Sequence, residues 1–420
     1  MPLTTDQKTL ITSSLPALQE HGATVTTSFY TTLLSENPSL RSTFNLTHQR
    51  TASQPFALAS VLAAYARHIT DPSVLGPAVE AINHRHVSLG VTAEQYSVVG
   101  TYLLRAMSEV LGQAFTEDLK GAWGAAYGDL ASGMVKAEEE LYTIAEREKW
   151  EGSGAAEGHF RKCKVVEKVV EADDVVSLRF WPVGWEAAQL PSYKAGQYIS
   201  VRVQVKREGL EQIRQYTLSD APESATNIGY RITPKKIGMV SEVLHGLDVG
   251  DEVDISFPRG VFFYQDEDRV VLDRRDQDAA PLVLISAGIG LTPMLSIMTS
   301  ALSSSETRKM SWIHSSRSWT RRPFEGGLHA LAMQHSGLTM KTFVTGSRQD
   351  EKISGGDFEG RFDLNKLDRS IDLHLDDDRT LYYLCGPQGF MESVGKMLKH
   401  EGVPGERIKA EMFGVGSPSF

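Results

Sequence analysis

The stretch Pro281-Leu282-Val283-Leu284-Ile285-Ser286-Ala287-Gly288-Ile289-Gly290-Leu291-Thr292-Pro293 decides the fold. Its apolar opening has the length of a buried strand. Gly288 and Gly290 then turn the chain, and Pro293 suits the first turn of a helix, where its missing N–H has no partner to lose. Strand, glycine turn and helix in succession form half of a βαβ unit. Glycines at such a turn let the backbone approach a pyrophosphate, whose charge meets the helix N-terminus. Pro293 replaces the third glycine of the common dinucleotide fingerprint.

Downstream, Met310–His314 and Leu381–Cys385 read as further buried strands, so a parallel α/β sheet is expected from about Val271 onward, over 270–420. Cys385-Gly386-Pro387-Gln388-Gly389-Phe390-Met391 ends the second of these strands at a turn, where such sheets bind ligands. Upstream, Val175–Phe180, Tyr198–Val203 and Gly229–Ile232 alternate apolar with polar residues, which predicts a small antiparallel barrel over 155–265. It contains Arg214-Gln215-Tyr216-Thr217, where an arginine can meet a pyrophosphate and a tyrosine two residues on can lie against a ring. It also contains Gly238-Met239-Val240-Ser241, which opens a helix.

The first 148 residues read as helix. Thr4-Thr5-Asp6-Gln7 has the pattern of a capping box, and Asn37-Pro38 and Asp71-Pro72 mark helix ends. Strong helical stretches run over Phe56–Ile69, Glu94–Leu111 and Ala122–Glu146. Trp150-Glu151-Gly152-Ser153-Gly154 reads as the linker to the β region. Three domains are therefore expected: all-α over 1–148, barrel over 155–265, and α/β over 270–420.

A length of 420 residues accommodates them. The net charge of −10 speaks against a nucleic-acid partner. Two cysteines, Cys163 and Cys385, predict a reducing compartment rather than a disulfide framework. No targeting pattern or run long enough for a bilayer is present, so a cytoplasmic protein without stable membrane association is expected, as is a monomer.

Twelve histidines are present. His86 stands in Ile82-Asn83-His84-Arg85-His86-Val87, with Tyr96 and Glu138 on later helices. A single histidine is more often structural than a metal ligand, and His84 is the local competitor. Ser28-Phe29-Tyr30 lies on an earlier helix and Phe44 just after a helix break. Gln54 and Leu58 stand one turn apart. Pro55 requires the helix to start close to Ser53, which leaves the direction of Gln54 open.

Arg-x-Tyr-Thr, Gly-x-x-Ser, Gly-x-Gly-x-x-Pro and Cys-Gly-Pro, in this order, resemble the ferredoxin reductase-like family over about 155–420. Tyr30, Phe44, Gln54, Leu58, His86, Tyr96 and Glu138 resemble the globin domain of flavohaemoglobins. Together, the chain resembles the whole flavohaemoglobin family. The resemblance implies haem b, FAD and NAD(P)H as cofactors, with nitric oxide and oxygen as substrates and nitrate as product. It implies that His86 ligates the haem iron, backed by Glu138 and Tyr96. Tyr30 would donate a hydrogen bond to oxygen in a pocket walled by Phe44, Gln54 and Leu58. Tyr198 would stack near the flavin. Arg214, Gln215, Tyr216, Thr217 and the Gly238, Val240 and Ser241 turn would hold FAD. Gly288, Ile289, Gly290, Leu291, Thr292 and Pro293 would hold the dinucleotide, and Phe413 would cover the flavin ring. Arg85 and Glu411 would meet at the domain junction and tune the two redox centres. Arg317 could take a 2′-phosphate, so the coenzyme stays open between NADH and NADPH. The alternatives are an NAD(P)H oxidase or peroxide reductase using the same chain of cofactors, or a haem gas sensor or oxygen store.

Overall fold

The computed structural model describes residues 2–148, 159–184, 190–265, 279–304, 308–318, 322–346 and 357–414. The expected linker at 150–154 and the change of pattern near Val271 lie outside the described residues. The chain forms two compact units, Met1–Arg161 with Ser200–Gln215 and Asp254–Val261, and Lys162–Ile199 with Tyr216–Val253 and Phe262–Phe420.

The first unit contains helices α1 (Thr5–Ser13), α2 (Leu15–Glu36), α3 (Leu46–Arg50), α4 (Ser53–Arg67), α5 (Gly76–Leu89), α6 (Ala93–Leu111) and α7 (Glu117–Arg147). α1 starts at the capping box read from sequence, with the Thr4 and Gln7 side chains each accepting from the other's backbone N–H. α4 starts at Ser53, so Pro55 falls in its first turn, where no intrahelical N–H is required. The Thr26 hydroxyl donates to the Pro55 carbonyl at 2.8 Å and pins this start to α2. α7 begins five residues before the predicted Ala122, with Thr116 as its N-cap. Its charged first turn, Glu117-Asp118, suits the helix dipole but shows no apolar periodicity. α2 packs on α4 and α6, and Phe29, Leu33, Ala106, Met107, Trp123 and Ala126 lie in the core.

The antiparallel sheet comprises β1 (Phe160–Ala172), β2 (Val175–Pro182), β3 (Tyr198–Val205), β4 (Leu210–Thr217), β5 (Tyr230–Ile232) and β6 (Glu252–Ser256), in the order β4-β3-β6-β1-β2-β5. In the second unit, Leu218, just beyond β4, makes an isolated antiparallel bridge to Ile232 of β5. The short helices α8 (Pro222–Ile228) and α9 (Met239–His245) decorate it.

The parallel sheet of the second unit comprises β7 (Leu282–Ala287), β8 (Met310–Ser316), β9 (Leu338–Val344), β10 (Asp357–Glu359), β11 (Leu381–Cys385) and β12 (Ile408–Glu411). Helices α10 (Leu291–Ser304), α11 (Glu325–Gln334) and α12 (Gln388–His400) connect its strands. The order is β10-β9-β8-β7-β11-β12. The chain therefore runs outward from β7 through β8 and β9, then returns to the other side of β7. The switch point lies between β7 and β11, where open α/β sheets bind ligands beyond the strand C-termini. All-α, antiparallel β and parallel α/β thus follow one another as the sequence pattern predicts. Cys163 and Cys385 are both buried and free. No described helix is long and apolar enough to cross a membrane.

α6 and α7 meet closely at one point. A Cβ at Gly100 would stand 2.4 Å from the Tyr127 ring, and that ring donates its hydroxyl to the Tyr96 carbonyl at 2.7 Å. Gly100→Ala is expected to cost about 1–3 kcal/mol by overpacking, read as a lower denaturant midpoint. An unchanged midpoint would show that Tyr127 can move aside freely.

Candidate functional site

In the first unit, His86 lies in the last turn of α5, which Gly90 ends in a left-handed conformation at φ 74°. The His86 Nδ1 is 2.8 Å from the Tyr96 hydroxyl and 3.0 Å from Glu138 Oε1. Tyr96 donates to the same Oε1 at 2.5 Å. A carboxylate accepts only, so the Nδ1 proton is directed to Glu138 and the lone pair lies on Nε2, the atom that can bind a metal. Glu138 is 3% exposed, and a charge so buried requires these two donors. Burial and the neighbouring Glu138 raise the Tyr96 phenol above its usual value, so it stays a donor. The His86 side chain keeps 31% of its surface exposed. His84, the competitor, accepts the Gly260 N–H on Nδ1 at 3.1 Å and serves as an anchor instead.

Tyr30 on α2 is 6% exposed, with Phe44 edge-on at 5.6 Å between ring centroids. Leu58 packs against the same core. Gln54 turns toward Tyr30 rather than to solvent. Its Oε1 accepts from Gln49 Nε2 at 3.1 Å, and its hydrogen bond with Tyr30 lowers the phenol's pKa. Burial is the larger influence and raises that pKa, so Tyr30 remains protonated.

Among the described residues, no group of three or more His, Cys, Asp or Glu side chains could hold a metal ion alone. One histidine with a fixed tautomer suits an iron whose equatorial ligands come from a macrocycle. Nearby, His48 is pushed down to about 4 by burial and by the guanidinium groups of Arg214 and Arg85. This positive edge suits anionic cofactor groups.

Arg214 donates to Asn45 Oδ1 at 2.7 Å and Gln212 Oε1 at 3.0 Å. Gln215 reaches Ser88 Oγ on α5 at 3.5 Å. In the second unit, Tyr198 and Tyr216 are half-buried and Thr217 is buried. Ser241 Oγ accepts from the backbone of Ile237 and Gly238, so its side chain caps α9, while Val240 is core.

At the switch point, Gly288 has φ +56° and open space where a side chain would project. A Cβ at Gly290 would stand 2.4 Å from the Cys385 carbonyl oxygen, so the turns after β7 and β11 are in contact through this glycine. Ile289 is half-buried, whereas the side chains of Leu291, Thr292 and Pro293 are packed inside. Those three can serve a ligand only through backbone and helix geometry. Glu411 stands opposite Cys385 in the β12–β11 register, and Phe413 is 46% exposed rather than a core aromatic. Arg85 and Glu411 belong to different units. Arg317 is exposed.

Sequence reading missed Asn45, Gln49 and Gln212. Gln212 bonds to Leu46, 166 positions away, and local patterning carries no signal over that separation.

Comparisons with known proteins agree with this layout. The globin family matches residues 27–134, the oxidoreductase FAD-binding domain 162–264, and the oxidoreductase NAD-binding domain 284–396. A flavohemoprotein of Bordetella parapertussis is 39% identical, with 99% of each chain covered. The chain belongs to the flavohaemoglobin family. A solved flavohemoglobin of Malassezia yamatoensis with bound FAD and heme superimposes with TM-score 0.81 at 31% identity, covering 98% of this chain and 100% of that one. The FAD/NAD-binding domain of a nitric oxide dioxygenase from Vibrio cholerae matches 60% of this chain and 98% of its own, with 31% identity and TM-score 0.50. As a flavohaemoglobin, the chain is a globin–reductase oxidoreductase using haem, FAD and a nicotinamide dinucleotide.

Gly290→Ala should therefore force the two turns apart. Flavin reduction by NAD(P)H is expected to slow by at least about tenfold in stopped flow, as a small displacement of bound reactants can cost more than that. Haem content should stay normal. Wild-type flavin reduction in this variant would remove the turn from the dinucleotide site.

Proposed function

We propose that the protein is a nitric oxide dioxygenase, converting nitric oxide and oxygen to nitrate with electrons from NAD(P)H. The observation that carries this reading is Tyr30, a buried, protonated phenol beside Gln54 and Phe44, in the same globin unit as the His86–Glu138–Tyr96 triad. When bound, haem supplies an oxygen-binding iron, FAD an exchange between two-electron and one-electron transfer, and the nicotinamide a hydride. His86 would hold the haem through Nε2, and Glu138 would make that imidazole a stronger donor by accepting a hydrogen bond from its Nδ1–H. Tyr30 directs its O–H at negative charge developing on oxygen in the pocket. Phe44 and Leu58 keep water away from it. Gly288 and Gly290 let the dinucleotide approach the backbone, and Phe413 guards access to the flavin. The reductase module supports enzymatic turnover over oxygen storage. The Vibrio cholerae relative supports the choice of nitric oxide as substrate.

The purified protein is expected to show a Soret band and to form nitrate in proportion to NAD(P)H consumed when nitric oxide is supplied. Superoxide or peroxide as the main product under those conditions would favour the oxidase reading. His86→Ala should abolish the normal Soret band while FAD still binds; the same loss from His84→Ala alone would reassign the ligand. Tyr30→Phe removes a hydrogen bond to a charged acceptor, so oxygen dissociation should accelerate roughly ten- to a hundredfold. An unchanged rate takes Tyr30 out of the mechanism.

Arg85, adjacent to His86, and Glu411, in register with Cys385, are assigned to tuning the redox centres. Glu411→Gln is expected to slow haem reduction in stopped flow and leave flavin reduction by NAD(P)H as it was. Equal haem reduction rates in variant and wild type would reject that assignment.

A further inference from the structure

In the first unit, the β3–β4 hairpin grips a five-residue helix of the globin. Gln212 of β4 is fully buried among globin backbone groups. Its Nε2 donates to the carbonyls of Arg41 at 2.9 Å and Phe44 at 3.4 Å, and its Oε1 accepts from Leu46 N at 3.3 Å. Arg214 donates to that Oε1 and to Asn45 Oδ1, which itself caps α3 by accepting from Thr47 N and His48 N. At the far end of α3, Arg50 forms a two-pronged pair with Glu208, with contacts of 3.2 and 2.8 Å.

α3 has no means of holding itself in place. Its five residues make too few internal hydrogen bonds to be stable alone. Gln212, Arg214 and Glu208 therefore hold it, together with its packing on α4. That position matters for the haem pocket at two points. Phe44, in the turn that Gln212 holds, packs on Tyr30. Gln49, on α3 itself, orients Gln54, which bonds to Tyr30. A chain of direct contacts therefore runs from Arg214 through Gln212 and Asn45 to α3, Gln49, Gln54 and the Tyr30 hydroxyl.

We propose that Gln212 is a positioning residue for the haem pocket, and that it makes ligand binding beside Tyr30 depend on FAD bound at Arg214. The inference rests on the assignment of Arg214 to FAD and Tyr30 to the distal pocket. A pyrophosphate at Arg214 competes for the guanidinium protons now given to Asn45 and Gln212. Any such shift is passed to α3, because these two side chains hold its first turn. Coupling of this kind is reciprocal, so a ligand in the haem pocket must alter FAD affinity by the same factor.

The test measures azide affinity of the ferric, haem-loaded full chain by visible spectroscopy, without FAD and at saturating FAD. Wild type is expected to differ between the two states by about fivefold or more. Gln212→Leu should bind FAD, as flavin fluorescence quenching reports, yet show the same azide affinity in both states. A role confined to stability would lower the melting temperature and leave the FAD dependence intact. Should Gln212→Leu lose haem, Gln49→Leu cuts the link from α3 to Gln54 at a half-buried site and is expected to reduce the dependence. A wild type indifferent to FAD, or a dependence undiminished in the haem-loaded variant, overturns the inference. A wild type with no Soret band overturns the functional reading and this one together, whereas both chromophores without coupling reject this inference alone.

Discussion

Glu138 brings a carboxylate into the globin interior, and much of the surrounding structure exists to make that tolerable. A buried ionised group is costly unless donors surround it. Tyr96 and His86 supply two donors to a single oxygen of Glu138. Each donor is then fixed in turn. Tyr127 holds the Tyr96 backbone, Tyr142 holds the Val91 carbonyl at 2.6 Å, and Gly100 leaves room for the Tyr127 ring. The outcome is an imidazole with a single tautomer and a single aim. Without the carboxylate, His86 would be one half-exposed histidine among several.

The other pole of the globin is governed by orientation more than by charge. Tyr30 is kept neutral by burial and hydrogen-bonds with Gln54, whose amide is in turn held by Gln49. An amide has a donor end and an acceptor end, so fixing one end fixes the other. Proline at position 55 helps by locating the start of α4, and Thr26 locks that start to α2. The reductase side uses a different device. Two turns meet at the switch point through Gly290, and Gly288 leaves backbone accessible to a ligand. Close backbone approach does there what hydrogen-bonded side chains do in the globin.

Ser200–Gln215 belongs to the same compact unit as the helices. The physical cause is visible in the bonds these residues make. Ser200 donates to Ser88 of α5 at 2.9 Å, Gln212 is buried among globin carbonyls, and Arg259 donates to the Leu141 carbonyl of α7 at 2.8 Å. Polar groups buried this way need partners, and the Ser88 hydroxyl and the carbonyls of Arg41, Phe44 and Leu141 supply them. A sequence reading that separates domains by changes in periodicity sees a strand at 210–217 and has no access to what its polar positions bond.

Local patterning determined a good deal. The capping box at Thr4, the helix start near Ser53, the breaks at Asn37-Pro38 and Asp71-Pro72, the buried strands and the glycine turn are all rules of short range, set by steric limits and unpaired backbone groups. The resemblance to the globin domain of flavohaemoglobins then brought in His86, Tyr96, Glu138 and Tyr30. Tertiary structure decided what each residue could do. It gave His84 to Gly260 and His86 to Glu138, turned Gln54 inward, made Ser241 a cap, and placed Leu291, Thr292 and Pro293 in the core. It alone revealed Gln212, because hydrogen bonds between residues 166 positions apart depend on where folding brings the chain, and no periodicity along the sequence encodes that meeting.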